Sequence, residues 1–132
     1  MKKTFLLITS LLLSSLGIAA DTVKLPSGVE VSHSVQGTGE QPKATSVVTV
    51  HYRGTLTNGT EFDSSYSRGQ PASFTLDRVI PCWTQALQTL KVGGKATLTC
   101  PAKTAYGANG IAGVIPPNAT LKFEVELLKV SN

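Results

Sequence analysis

The sequence is poor in the residues from which most catalytic centres are built. Its 132 residues include two cysteines, two histidines and one tryptophan, and charged residues make up only 15%. His33 and His51 are far apart, with no carboxylate or cysteine at a metal-ligand spacing, so we expect no metal site. The 12 basic residues form no run and no helical stripe, which argues against a nucleic-acid-binding surface.

A hydrophobic run long enough to span a membrane is also missing. Phe5–Leu13 is apolar, but a bilayer-spanning helix needs about 20 such residues. Lys2 and Lys3 precede this run and small residues end it at Ala20, a pattern typical of a secretory signal peptide over residues 1–20. No cysteine stands at the exit to accept a lipid. We therefore expect an exported protein, periplasmic or secreted, without a membrane anchor.

The remaining residues, 21–132, have the length of one domain, with no internal repeat and no linker. Alternation of apolar and polar residues at a period of two predicts half-buried strands. Residues 21–27 and 64–70 lack such a pattern, and we expect them to be irregular. The clearest predicted strands are centred on Val29–Val35, Val48–Leu56, Ala96–Cys100 and Leu121–Leu127.

One segment has a helical period instead. Trp83, Ala86, Leu87 and Leu90 fall on one face of a helix that we expect to begin at Pro81. Proline suits the first helical turn because its missing N–H has no partner there. The sequence thus predicts an α+β domain, an antiparallel sheet with one short helix packed on it.

Five sequence blocks closely resemble the FKBP-type peptidyl-prolyl isomerases, in that family's order and near its spacing. The resemblance runs from about Gly28 to Val130. Each block alone would be weak evidence, because Tyr-Gly and Pro-Pro are common turn chemistry. The blocks are Val50-His51-Tyr52-Arg53-Gly54, Phe62-Asp63-Ser64-Ser65, Ala105-Tyr106-Gly107, Val114–Leu121 and Phe123–Leu128.

The resemblance implies a curved antiparallel sheet wrapped around one short α-helix, with an apolar pocket between them. It also implies catalysis of rotation about X–Pro bonds without any cofactor or metal. An alternative is that the aromatic side chains of these blocks and of the predicted helix form an ordinary core and line no pocket. By similarity to the family, the pocket is lined by Tyr52, Phe62, Val79, Ile80, Trp83, Tyr106, Ile115 and Phe123, and Arg68 is also assigned to substrate binding.

The same resemblance assigns catalytic roles to Tyr52, Asp63 and Tyr106. The Tyr106 hydroxyl would donate to the carbonyl of the residue before proline. Asp63 would be a carboxylate at the pocket rim, paired with Tyr52 or Arg68, although an Asx turn would also account for it. Many members have an aromatic residue where this chain has Ala72, which leaves the side wall of the pocket open to question. We expect Phe74, two positions later, to be a core residue.

The implied partners are proline-containing client polypeptides and macrolide inhibitors of the rapamycin or tacrolimus type. The sequence offers no spare amphipathic helix for dimerisation, so we expect a monomer. An alternative function is that of a non-catalytic holding chaperone on the same fold, since a fold does not determine an activity. Such a role usually accompanies an inserted flap or a helical arm in this family.

The two cysteines suit an oxidising compartment. Cys100 belongs to the inward-facing set of its strand, and Cys82 lies at the start of the predicted helix. A disulfide between them would join the helix to the sheet beside the pocket floor. The alternative is a pair of buried free thiols, and the distance between the two α-carbons decides between these possibilities.

Overall fold

Seven strands and two short α-helices are found in the part of the chain that the computed structural model describes, residues 21–132. The predicted signal peptide lies outside the described residues. Two 3₁₀ turns, Leu76–Arg78 and Ala102–Thr104, complete the fold. The strands are β1 Asp21–Lys24, β2 Glu30–Val35, β3 Val47–Leu56, β4 Glu61–Ser64, β5 Ala72–Thr75, β6 Lys95–Cys100 and β7 Leu121–Ser131, and the helices are α1 Ser65–Arg68 and α2 Pro81–Leu87.

All strand pairs are antiparallel, and the sheet order is β1-β2-β6-β7-β3-β4. The long strand β3 pairs with β7 along its whole length on one edge. Its other edge is shared, because β5 pairs with Val47–Val50 and β4 pairs with Arg53–Thr55. The prediction of an α+β domain with an antiparallel sheet around a short helix is confirmed.

The core lies between the inward face of the sheet and α2. Val48, Val50 and Tyr52 on β3 are buried, while Thr49 and His51 between them are only half-buried. The same alternation continues on β7, as the sequence predicts. Burying one such aliphatic side chain contributes about 1.5–3 kcal/mol, so this inward face is the main source of stability.

Helix α2 begins at Pro81, as predicted, but ends at Leu87, one turn earlier than expected. The reason is a change of hydrogen bonding at Thr89, whose N–H and hydroxyl both donate to the carbonyl of Ala86, at 3.0 and 2.7 Å. That carbonyl therefore accepts in an i+3 pattern, which tightens and ends the helix. Leu90 is still completely buried, which confirms the prediction that its side chain faces the core.

Two segments expected to be irregular are regular, and both predictions were wrong for a physical reason. Every side chain of β1 is exposed, so its pairing with β2 depends on backbone hydrogen bonds. Its sequence therefore does not alternate between apolar and polar residues, and no strand was predicted there. Helix α1 is a single turn fixed by its ends. Ser64 accepts a hydrogen bond from the N–H of Ser67 at 3.2 Å, and Gly69 closes the turn with φ of 74°.

Cys82 and Cys100 form a disulfide, which confirms the predicted pairing. Their α-carbons lie 5.7 Å apart, and both residues are completely buried. The bond therefore joins the first turn of α2 to the end of β6. In the described residues no helix is long and apolar enough to cross a membrane.

Candidate functional site

A cavity of about 480 Å³ opens between the sheet and the segment that leads into α2. This volume is in the range of small-ligand and peptide side-chain sites. Its wall is mostly aromatic and aliphatic, with few charged groups. We call it the aromatic cavity, and its lining residues are Tyr52, Phe62, Asp63, Phe74, Arg78, Val79, Ile80, Trp83, Tyr106 and Phe123.

Trp83 stands at the centre of the aromatic array. Its ring makes edge-to-face contacts with Tyr52, Phe74 and Phe123, at centroid distances of 5.1, 5.4 and 5.3 Å. Phe62 extends the array through a further edge contact with Phe123 at 5.6 Å. Edge-to-face packing lets each ring hold its neighbour at a fixed angle. Mutually packed aromatic rings therefore line the cavity on several sides.

Gly54 is required for this arrangement, although sequence reasoning did not single it out as a site residue. It lies on β3 opposite Phe123 of β7. A Cβ atom at Gly54 would lie 2.6 Å from Cζ of Phe62 and 2.9 Å from Cε1 of Phe123. Both rings therefore reach their positions only because this residue has no side chain.

A polar cluster of Tyr52, Asp63 and Arg68 lies at the rim of the cavity. The Tyr52 hydroxyl donates to Oδ2 of Asp63 at 2.5 Å. Arg68 donates from Nη1 to Oδ1 of Asp63 at 2.7 Å and from Nη2 to the Tyr52 hydroxyl oxygen at 3.1 Å. Both carboxylate oxygens thus have a donor, and the negative charge is matched by the guanidinium.

Local backbone structure holds this cluster in place. Ser65, at the start of α1, accepts a hydrogen bond on Oγ from the N–H of Tyr52 at 2.7 Å. The same hydroxyl donates to the carbonyl of Tyr52 at 3.2 Å, and both residues are buried. This link fastens α1 to β3, so Arg68, the last residue of the helix, faces Tyr52 across the rim.

The cluster shifts the pKa values of its members in opposite directions. Partial burial alone would raise the pKa of Asp63, but hydrogen bonds from Tyr52 and Arg68 outweigh it, so the pKa lies below its ordinary value. Burial raises the pKa of Tyr52, and its hydrogen bond to Asp63 raises it further. At neutral pH the hydroxyl therefore keeps its proton and Asp63 is a carboxylate.

Tyr106 lines the cavity from the loop that follows β6, and 39% of its surface is exposed. Its backbone is held by the N–H of Gly110, which donates to the Tyr106 carbonyl at 3.1 Å. Among residues 21–132 its hydroxyl has no hydrogen-bond partner. It is thus a donor at the cavity mouth that is available to a bound molecule.

The structure does not bring every predicted pocket residue to the cavity. Ile115 is buried, but it lines a separate depression of the 109–117 loop and pairs through its backbone with Ile111. Arg68 reaches the site only through Asp63 and Tyr52. Conversely, Phe74 lines the cavity, although we expected it to be only a core residue.

Arg78 is the lining residue that sequence reasoning missed altogether. An exposed arginine in a turn carries no periodic signal, so no pattern distinguishes it from ordinary surface charge. Its position directly before Val79 and Ile80, both assigned to the pocket, was the available clue. Ala72 does not line the cavity, whereas Phe74, two residues later, does.

The chain is similar in sequence to known proteins. The family model for FKBP-type peptidyl-prolyl cis-trans isomerase matches residues 38–128. The isomerase FkpA of Aeromonas hydrophila is 54% identical over 104 residues, which cover 79% of this chain and 38% of FkpA. FK506-binding protein 1 of Dictyostelium discoideum is 52% identical over 103 residues, which cover 76% of this chain and 96% of that protein.

The fold is similar as well. The crystal structure of FkpA from Escherichia coli matches with a TM-score of 0.80 and 48% identity, covering 83% of this chain and 51% of that one. The chain spans about two fifths of the curated FkpA relative and nearly all of the Dictyostelium protein. The resemblance seen in the five sequence blocks is confirmed: this chain belongs to the family of FKBP-type peptidyl-prolyl cis-trans isomerases.

Proposed function

We propose that this chain accelerates cis–trans isomerisation of X–Pro bonds by binding the prolyl segment of a client polypeptide in the aromatic cavity. The observation that carries the proposal is Trp83, which is nearly buried and has an aromatic ring edge-on at three sides. A proline ring is compact and apolar, so it suits such a surface. Family membership supports the same reading.

The physical basis is the change in polarity of the amide during rotation. The barrier of roughly 18–20 kcal/mol arises because twisting the C–N bond breaks its resonance. The twisted amide is less polar than either planar isomer, so an apolar site binds it better than it binds the ground states. Such differential binding is what lowers a barrier, and about 5–7 kcal/mol would give four to five decades in rate.

Tyr106 and the polar cluster give this surface its orientation. The Tyr106 hydroxyl, which has no partner among residues 21–132, donates to the carbonyl of the residue before proline and so fixes one side of the rotating bond. Asp63, held by Tyr52 and Arg68 at the rim, lies near the peptide backbone. Because Arg68 pairs with the carboxylate of Asp63, no unpaired negative charge lies against the proline.

Macrolides of the rapamycin or tacrolimus type are proposed as inhibitors that occupy the same cavity. The name of the Dictyostelium relative, FK506-binding protein 1, supports this class of ligand. Phe74 supports it too, because it adds an aromatic ring to the lining of the cavity. The natural partners are proline-containing polypeptides.

We also propose that the chain works after export, in the periplasm or outside the cell. The Cys82–Cys100 disulfide supports this, since such bonds persist in oxidising compartments and are rare in the cytosol. Cell fractionation followed by intact-mass measurement tests it. Export requires a product that begins near Asp21 and gains two hydrogens on reduction, and a cytosolic product with its first residues retained contradicts export.

The deciding experiment for the activity is a protease-coupled isomerisation assay on a Leu-Pro peptide, with and without rapamycin. Turnover above background at micromolar protein, suppressed by the macrolide, is the expected result. The absence of turnover in a folded sample, together with suppressed aggregation of an unfolded client, would favour the holding-chaperone alternative.

A further inference from the structure

Arg78 is a charged residue of the aromatic cavity for which the proposed function has no use. It is the last residue of the 3₁₀ turn Leu76–Arg78 and directly precedes Val79 and Ile80. Its side chain is exposed yet lines the cavity. An exposed cation at the wall of a largely apolar site affects which ligands enter that site.

Arg78 forms no ion pair within the described residues. The ion pairs of residues 21–132 join Lys24 to Glu30, Arg53 to Glu61 and Arg68 to Asp63, and Arg78 takes part in none of them. Asp63, the other charged lining residue, is already neutralised by Arg68 at 2.7 Å. Among residues 21–132, Arg78 is therefore the charged lining residue without an ion-pair partner, although the exposed Asp77 directly precedes it.

The backbone that carries Arg78 is fixed to the floor of the cavity. Leu76, two residues earlier, is completely buried, and its N–H donates to the carbonyl of Ser46 at 2.9 Å. The carbonyl of Leu76 accepts a hydrogen bond from the hydroxyl of Thr84 at 2.6 Å. Thr84 directly follows Trp83 on α2, so the turn and the tryptophan are held together.

Building on the proposed function, we propose that Arg78 is a specificity residue that favours client peptides carrying Asp or Glu directly next to the proline. A flanking carboxylate reaches the guanidinium while the proline ring stays on the aromatic floor. Exposed ion pairs are weak, so the preference is modest, roughly two- to fivefold in kcat/KM between Glu and its neutral isostere Gln. Because the pair is exposed, added salt screens it.

The test uses short peptides with Glu, Gln or Lys before the proline, and a second set with the same residues after it. Exchange rates are measured by NMR, which needs no coupling protease. The same peptides are titrated against the fluorescence of Trp83, the single tryptophan of the chain, which reports occupancy of the cavity without requiring turnover. Arg78→Gln is compared with Arg53→Gln, which removes an equal charge outside the cavity.

At low salt, one of the two sets is expected to rank Glu above Gln and Gln above Lys. The Glu-to-Gln ratio is expected to approach one in Arg78→Gln and in 0.5 M NaCl, and to be unchanged in Arg53→Gln. A ratio near one in the natural chain for both sets, or a ratio that persists in Arg78→Gln, overturns the proposal. If fluorescence gives the expected ranking without any turnover, the specificity role stands and the isomerase function falls.

Discussion

The hydroxyl of Tyr52 and the carboxylate of Asp63 are joined by a 2.5 Å hydrogen bond across the rim of the aromatic cavity. The Tyr52 ring is part of the cavity wall, whereas its hydroxyl belongs to the polar cluster. One side chain therefore connects the apolar floor to the charged rim. Asp63 is therefore one hydrogen bond away from a ring that packs edge-on against Trp83.

Replacing Asp63 is expected to impair activity more than stability. Asp63→Asn removes the charge that holds Arg68 and weakens the bond to Tyr52, so kcat/KM should fall severalfold. The Asp63 and Arg68 side chains are 41% and 50% exposed, and pairs of this kind contribute only about 0–1 kcal/mol to folding. Isomerisation kinetics and thermal unfolding of the same sample measure both effects.

The chain offers a matched control for this substitution. Glu61→Gln breaks the Arg53–Glu61 pair, which has a similar 2.8 Å distance and similar exposure but does not line the cavity. It should leave kcat/KM within about twofold, as expected for an exposed pair. Equal losses of activity in the two variants would show that Asp63 has no specific part in the site.

The activity should also depend on pH through Asp63. Its pKa is lowered in the folded chain, so the paired carboxylate stabilises the fold and the rim above the unfolded pKa of about 4. This contribution is lost as the pH falls through the lower, folded value. NMR exchange rates should be level from pH 8 to 5 and should fall only where the pH approaches the lowered pKa of Asp63, below the ordinary carboxyl value. This fall in rate at low pH should be absent in Asp63→Asn. The same fall in that variant would show that Asp63 is not the titrating group.

Tyr106→Phe removes a hydroxyl that has no partner among residues 21–132, so unfolding should be unaffected. If that hydroxyl orients the peptide carbonyl, kcat/KM should fall severalfold, in line with the roughly 0.5–1.5 kcal/mol of one neutral hydrogen bond. Tyr66→Phe is the control, since Tyr66 is similarly exposed but stacks on His51 away from the cavity. An unchanged rate in Tyr106→Phe would remove this residue from the mechanism.

Gly54→Ala is expected to displace the aromatic rings of the cavity that pack against residue 54. The new methyl group would overlap Phe62 and Phe123, and relief of such overlap typically costs 1–3 kcal/mol and moves the offending rings. Both Tm and kcat/KM should therefore fall. Adding Phe62→Leu removes the two closest contacts and should recover part of the lost Tm. If Gly54→Ala has the same Tm and kcat/KM as the unsubstituted chain, the positions of the two rings do not depend on this close approach.

Much of this fold could be predicted because its information is local. The alternation in β3, β6 and β7, and the helical face around Trp83, follow directly from the order of apolar residues. β1 and the early end of α2 could not be predicted this way, because they depend on backbone pairing and on one threonine side chain. The family resemblance supplied most of the cavity. It did not supply Arg78 or the wall role of Phe74, which follow from where distant segments meet.

The disulfide is expected to stabilise the chain without taking part in the chemistry. Closing a loop with a sequence separation of 18 contributes around 3 kcal/mol in the chain-entropy model. Reduction, or the double change Cys82→Ala and Cys100→Ala, should therefore lower Tm by about 10–15 °C. Neither cysteine lines the cavity, so kcat/KM at 25 °C should stay within about twofold as long as the chain is folded. Calorimetry with and without reductant is the measurement. A Tm that does not respond to reduction would show that the bond adds nothing to stability, and a lost rate in a folded sample would show that it shapes the floor at Trp83.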